Sequence, residues 1–198
     1  MEKMKIAICG GIGSGKSTVA SVLRELGYPV FSCDEIYTEI INSAQYIEKI
    51  AQAFEGVVID GKIDRAKLAE QVFGDNEKLQ KLNAIAHPLI MQSLREQMDN
   101  ADGVSVAEVP LLLERGFQDE FDKVIVVVRD KEERIRSVQL RDGENRENIE
   151  KRISAQFDYD TKVKDLPSDK FLILLNSGDE WQFRYKIKSF FKSIIEQS

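Results

Sequence analysis

Short apolar runs alternate along the chain with longer stretches of helical spacing. Ile6-Ala7-Ile8-Cys9 reads as a buried strand and Pro29-Val30-Phe31 as a second, short one. Val104 to Ala107, Val124 to Val128 and Phe171 to Leu175 read as three more. Runs that are apolar at successive positions bury both faces of a strand, the pattern of a parallel sheet covered on both sides. The intervening segments predict helices. Gly15 to Leu26 follows the first strand and stops at Gly27. Lys78 to Met98 is a long helical pattern containing Pro88, where a kink or break is expected. Lys131 to Arg141 follows a strand directly, and Ile187, Phe190, Phe191, Ile194 and Ile195 form one apolar helix face. The expected fold class is α/β, a three-layer domain around a five-stranded parallel sheet.

Composition narrows the function classes. A chain of 198 residues suits one domain with small inserted regions. Its net charge of −6 lacks the basic footprint of a nucleic-acid binder, so no nucleic-acid partner is expected. The two cysteines, Cys9 and Cys33, and the single histidine, His87, have no metal-ligand spacing and form no disulfide framework. A reducing cytoplasm is the expected location. The charged segment Met1 to Lys5 does not read as a signal peptide, and the apolar runs are too short to span a membrane.

The strongest chemical signal is Gly10-Gly11-Ile12-Gly13-Ser14-Gly15-Lys16-Ser17, which fits G-x-x-x-x-G-K-[ST] at every defined position. A strand runs into it and a helix leaves it, as the motif requires. Glycines let the backbone curl so that N–H groups point inward at a triphosphate, and the following helix offers its positive end. Gly11, Ile12, Gly13, Ser14, Gly15, Lys16, Ser17 and Thr18 are the expected nucleotide-binding residues. Lys16 is expected on the β- and γ-phosphates, the Ser17 hydroxyl on magnesium and Thr18 near the α-phosphate. The motif indicates a nucleoside triphosphate and Mg2+, but GTPases and motor ATPases share it with kinases.

Asp34 follows the second strand, where strand ends line the ligand crevice of a parallel sheet. A carboxylate there can orient an attacking hydroxyl, or it can serve as a helix N-cap ahead of Glu35-Ile36-Tyr37. Glu108 ends a central strand, the place of a magnesium-supporting acid. Arg134, Arg136, Arg141, Arg146 and Arg152 form a cationic segment, interleaved with glutamates in the manner of a solvated helix face. Arg141 stands apart at a helix-to-loop junction, where it can reach transferring phosphate. His87, before Pro88, reads as structural.

Taken in order, these segments resemble dephospho-CoA kinases, within the nucleoside-monophosphate-kinase-like P-loop proteins. The resemblance runs from Ile6 to about Asn176. It is carried by Cys9 to Thr18, Cys33-Asp34-Glu35-Ile36, Ile63-Asp64-Arg65, His87-Pro88, Val109-Pro110-Leu111-Leu112-Leu113-Glu114, Arg141-Asp142, Arg152 to Gln156 and Leu175-Asn176. It implies a P-loop NTPase fold and ATP-dependent phosphorylation of the ribose 3′-hydroxyl of dephospho-CoA. One domain, 1–198, would comprise a core (1–33, 103–133 and 160–198), a helical substrate-binding region (34–102) and a lid (134–159). Family logic makes Asp34 the hydroxyl-orienting base and gives γ-phosphate stabilisation to Lys16 and Arg141. It places Asn176 near adenine, and Arg65, His87, Pro110, Leu111, Leu112 and Glu114 at the acceptor. Ser17 and Glu108 would support the metal. A monomer working on a small molecule, away from membranes, is expected. The chain departs from the family in having Ser32-Cys33-Asp34 where Asp-x-Asp is common, Leu113 where Phe is frequent, and Glu108 for Asp. The competing readings are a P-loop kinase of another metabolite or nucleoside monophosphate, and a nucleotide-binding switch. The chain lacks a G-T-[NT]-K-x-D-like guanine-reading segment.

Overall fold

The computed structural model describes residues 3–196. Met1, Glu2, Gln197 and Ser198, which the expected core segments include, lie outside the described residues. The chain forms two compact units, one running to Val30 and resuming at Ala101, the other spanning Phe31–Asn100.

The first unit is built on a parallel sheet of order β2-β5-β1-β6-β7. The strands of this sheet are β1 (Met4–Gly10), β2 (Val30–Ser32), which begins at the last residue before the second unit, β5 (Val104–Glu108), β6 (Lys123–Val128) and β7 (Phe171–Leu175). The central strand β1 pairs with β5 on one side and β6 on the other. Ile6, Ala7, Ile8 and Cys9 are all fully buried, which is why the strand is apolar at successive positions rather than alternating. One sheet face carries Ile6, Ile8, Val104, Val106, Ile125, Val127 and Leu174. It packs on α1 (Lys16–Glu25) through Val19, Val22 and Leu23, and on α9 (Glu180–Glu196) through Phe183, Ile187 and Phe191. The chain leaves β1 for β2 on one side, whereas β5 passes over β1 to β6 on the other, so the carboxyl end of β1 lies at a topological switch point, where open α/β sheets bind ligands. A separate cluster joins Ile12 to Ile135 and Val138 of α7 (Lys131–Asp142) and to Ile149 of α8 (Arg146–Ser154).

The second unit holds α2 (Cys33–Ile40), α3 (Ala44–Ala53), a hairpin of β3 (Val58–Ile59) and β4 (Lys62–Ile63), α4 (Arg65–Val72) and α5 (Asn76–Asn100). The hairpin turns at Asp60-Gly61, both at positive φ, as a two-residue connection of this hand requires. Tyr46, Ile50, Phe54, Val57, Leu68, Ala86 and Leu89 form the core of this unit.

Helix α5 corrects one expectation, because it continues through Pro88 without the break expected there. Proline deprives the Ala84 carbonyl of its helical donor, but Ala84 is exposed and water can serve it. Buried Ala86, Leu89, Met91 and Leu94, on either side of the proline, hold both halves in one helix.

Candidate active site

The loop between β1 and α1 is held from several sides. Gly13 and Gly15 have φ of 74° and 100°, a backbone that side chains with a Cβ resist. Space closes the same positions. A methyl on Gly13 would lie 2.6 Å from the Arg134 carbonyl oxygen, and one on Gly15 would lie 2.5 Å from the Asn176 amide nitrogen. The Asn176 Nδ2 donates to the Ser14 carbonyl at 2.8 Å. The Lys16 ammonium donates to the Gly10 and Gly11 carbonyls at 2.8 and 3.1 Å, which holds it over the loop. Two amides expected to face phosphate are used inside the protein instead. Ile12 N–H donates to Gln156 Oε1 at 2.8 Å, and Ser14 N–H donates to the Gly11 carbonyl at 3.1 Å. Ile12 and Ser14 therefore shape the loop rather than line it with donors.

Behind the loop lies a buried polar cluster. Arg134 is 2% exposed, its guanidinium lies against Gly11, and its Nη2 donates to both Asp160 carboxylate oxygens at 2.8 Å. Glu114 Oε1 accepts from Phe157 N–H at 2.8 Å. Tyr159, beside Gly11, stands near Cys9 and Glu114; burial pushes its phenol well above its usual range. Burial also pushes the Cys9 thiol up to about 12, so it stays protonated and inert at neutral pH.

The other expected site residues divide into two groups. Ser17 is exposed in the first turn of α1, and Glu108 ends β5 one strand from the loop, in register with Ile8. Leu111 is exposed at the start of α6 (Leu112–Arg115), and Pro110 is half-buried before it. Leu112 is a correction: it is fully buried, so its side chain packs inside and cannot line an acceptor site. Glu114 is likewise engaged with backbone behind the loop. Arg141 sits in the last turn of α7 before Gly143, exposed and paired with neighbouring Asp142 by two 2.7 Å bonds. Arg146 pairs with Glu132 and Glu150, and Arg152 pairs with Glu144, as expected of a solvated helix face.

In the second unit, Ser32 is the N-cap of α2, which leaves Asp34 within the first turn, exposed. That removes the capping alternative for Asp34. A cavity of about 600 Å³ opens one turn along the same helix at Tyr37 and Ile41. Arg65, Lys62 and Asn42 give it polar points, and Ile63, Leu68 and Leu82 give it apolar wall. Arg65 is held there because Asp64 caps α4, accepting from Ala66 and Lys67 N–H at 3.1 Å. His87 lies half-buried on α5 and is not among the residues lining this cavity.

Residues 4–179 match the model of the dephospho-CoA kinase family. The chain belongs to that family. A dephospho-CoA kinase of Fusobacterium nucleatum is 40% identical over 167 residues, covering 83% of this chain and 86% of the relative. A solved protein of Thermus thermophilus superposes with a TM-score of 0.79 at 32% identity, covering 100% of this chain and 98% of its own. A solved dephospho-CoA kinase of Campylobacter jejuni gives a TM-score of 0.70 at 28% identity, with 96% of each chain covered. Membership makes the protein a nucleotide-using phosphotransferase acting on a small molecule. Among the described residues, no helix is long and apolar enough to cross a membrane.

The residue that sequence reasoning missed in this dephospho-CoA kinase family member is Arg134. The interleaved glutamates place it with the solvated arginines, yet it is buried against the loop. The missed signal is its spacing: Arg134, Ile135 and Val138 fall at i, i+1 and i+4 on one helix face, and all three are buried.

Proposed function

We propose that this chain transfers the γ-phosphoryl group of ATP to the ribose 3′-hydroxyl of dephospho-CoA, giving CoA and ADP. The observation that carries this reading is the Gly10–Thr18 loop, seated at the switch point of a parallel sheet in a chain that matches the dephospho-CoA kinase family over residues 4–179.

The donor set fits a magnesium-bound triphosphate. Glycines stand where any Cβ would clash, an ammonium is held over the loop, and a helix N-terminus follows it. Among the described residues, no cluster of three or more His, Cys, Asp or Glu is placed to hold a metal. Magnesium keeps waters and phosphate oxygens and takes few protein ligands. Ser17 would ligate it, with Glu108 in support. ATP with Mg2+ supplies the phosphoryl group and neutralises charge on the phosphates.

The chain's own groups do the rest. Gly11, Gly13, Gly15 and Thr18 shape the phosphate cradle, and Lys16 stabilises charge on the β- and γ-phosphates. Asp34 accepts the hydrogen bond of the 3′-hydroxyl and orients its oxygen at the terminal phosphorus. Arg141 leaves Asp142 to reach the transferring group as the lid, hinged where Arg134 and Gln156 are held against the loop, closes. The cavity beside Tyr37 receives the acceptor's flexible amide arm on its apolar walls, with Arg65 directed to the acceptor's phosphates. Pro110 and Leu111 add apolar wall, while His87 supports α5. Asn176 acts through the loop, by holding Ser14 and standing against Gly15, as well as near adenine. The protein works as a cytoplasmic monomer.

A coupled ADP assay across acceptors tests this. Magnesium-dependent ADP release is expected with dephospho-CoA and at least about 10²-fold less with shikimate, gluconate or a nucleoside monophosphate. Faster turnover of any of those three would overturn the acceptor assignment. Nucleotide binding with no acceptor phosphorylated would overturn transfer.

A further inference from the structure

We infer that Arg134 and Asp160 form a positioning pair for the phosphate loop, setting nucleotide affinity without touching the nucleotide. This rests on the loop's being the ATP site.

Arg134 touches the loop at two glycines. Its guanidinium fills the space beside Gly11, where a methyl would lie 2.5 Å from Nη1, and its backbone carbonyl closes the space beside Gly13. The guanidinium is itself fixed by Asp160, 26 residues on, through two 2.8 Å bonds from Nη2. Asp160 ends a short strap that is pinned to the same region twice more. Gln156 takes the Ile12 N–H, and Glu114 takes the Phe157 N–H, each at 2.8 Å. Tyr159, between these points, packs its ring against Gly11 and edge-on to Phe157 at 5.2 Å.

A buried arginine is costly unless paired, and Asp160 is the carboxylate that pairs it. Losing Asp160 frees Arg134 to seek water. Gly11 then loses the guanidinium wall it leans on, and the loop's donors lose their preset geometry. The strap closes the segment that carries α8, so the pair also ties the lid's return to the phosphate site.

The sign of one substitution separates this role from simple electrostatics. Asp160→Asn removes a negative charge near a polyanion site, so a purely electrostatic effect would tighten nucleotide binding. A positioning role predicts weaker binding. Isothermal titration of the full-length chain with magnesium-ADP reads this without requiring transfer chemistry. Asp160→Asn and Arg134→Gln are each expected to weaken ADP binding about tenfold, the usual size of losing a group that orients a site residue. The double variant should be no worse than the weaker single, and the KM for dephospho-CoA should stay at the wild-type value. If Arg134→Gln fails to fold, Asp160→Asn, altering a carboxylate 38% exposed, decides alone. Unchanged or tighter ADP binding by a folded Asp160→Asn variant overturns the inference. So does an equal rise in both KM values, the mark of a merely structural role. Wild-type protein that binds no ADP overturns the loop assignment itself.

Discussion

Asp34→Asn is expected to lower kcat about 10³-fold, the usual contribution of a positioned acid–base group, with magnesium-ADP affinity unchanged. The substitution keeps the side chain's size and one acceptor oxygen but removes the charge that draws the hydroxyl proton. Stability should hardly change. Ser32, not Asp34, is the N-cap of α2, and the Asp34 side chain is exposed. Its backbone carbonyl accepts from the Thr38 hydroxyl at 3.0 Å, a bond the substitution leaves in place. A melting temperature close to wild type together with a collapsed kcat would therefore locate the loss in chemistry. Steady-state rates at saturating ATP and dephospho-CoA check it. A variant that keeps more than about a tenth of wild-type kcat would mean Asp34 is not the orienting base.

Lys16→Ala should be as damaging, but through the nucleotide. Its ammonium is drawn over the loop by the Gly10 and Gly11 carbonyls, so it meets the terminal phosphates already in place. Removing a preset cation from developing charge costs about 10²–10³ in rate, and ADP affinity falls with it. Lys16→Arg should not restore activity, because a planar, longer guanidinium cannot occupy the site of a compact ammonium. The contrast between the two variants is informative. Asp34→Asn should separate kcat from nucleotide affinity, whereas Lys16→Ala should lower both. Initial rates paired with ADP titrations read both quantities. Equal ADP affinity in Lys16→Ala and wild type would contradict the assignment of Lys16.

What could be read along the chain follows from where each constraint lies. The phosphate loop was legible because its physics is contiguous: turn, donors, cation and helix start occupy neighbouring positions. The central strands were legible because burial on both faces leaves unbroken apolar runs such as Val124 to Val128. Arg134 was not, because what makes it unlike Arg146 or Arg152 is a partner far along the chain and a glycine beside it. The Ile12–Gln156 bond joins residues 144 apart, so nothing local marks Ile12 as a shaping residue rather than a phosphate donor. Leu112 shares an apolar run with Leu111 and Leu113, and only the turn into α6 decides that it alone is fully buried. The small hairpin at Asp60-Gly61 did carry a local sign, the Asp-Gly pair, which went unread between strands only two residues long.

The central claim is that a sugar hydroxyl steered by one carboxylate takes the terminal phosphate held by this loop. Phosphorus-31 NMR of the protein with ATP, Mg2+ and dephospho-CoA addresses it in one sample. A new phosphomonoester signal coupled to the ribose 3′ proton, growing in step with ADP, is the expected result. Release of inorganic phosphate alone, or a monoester at another position, would contradict it.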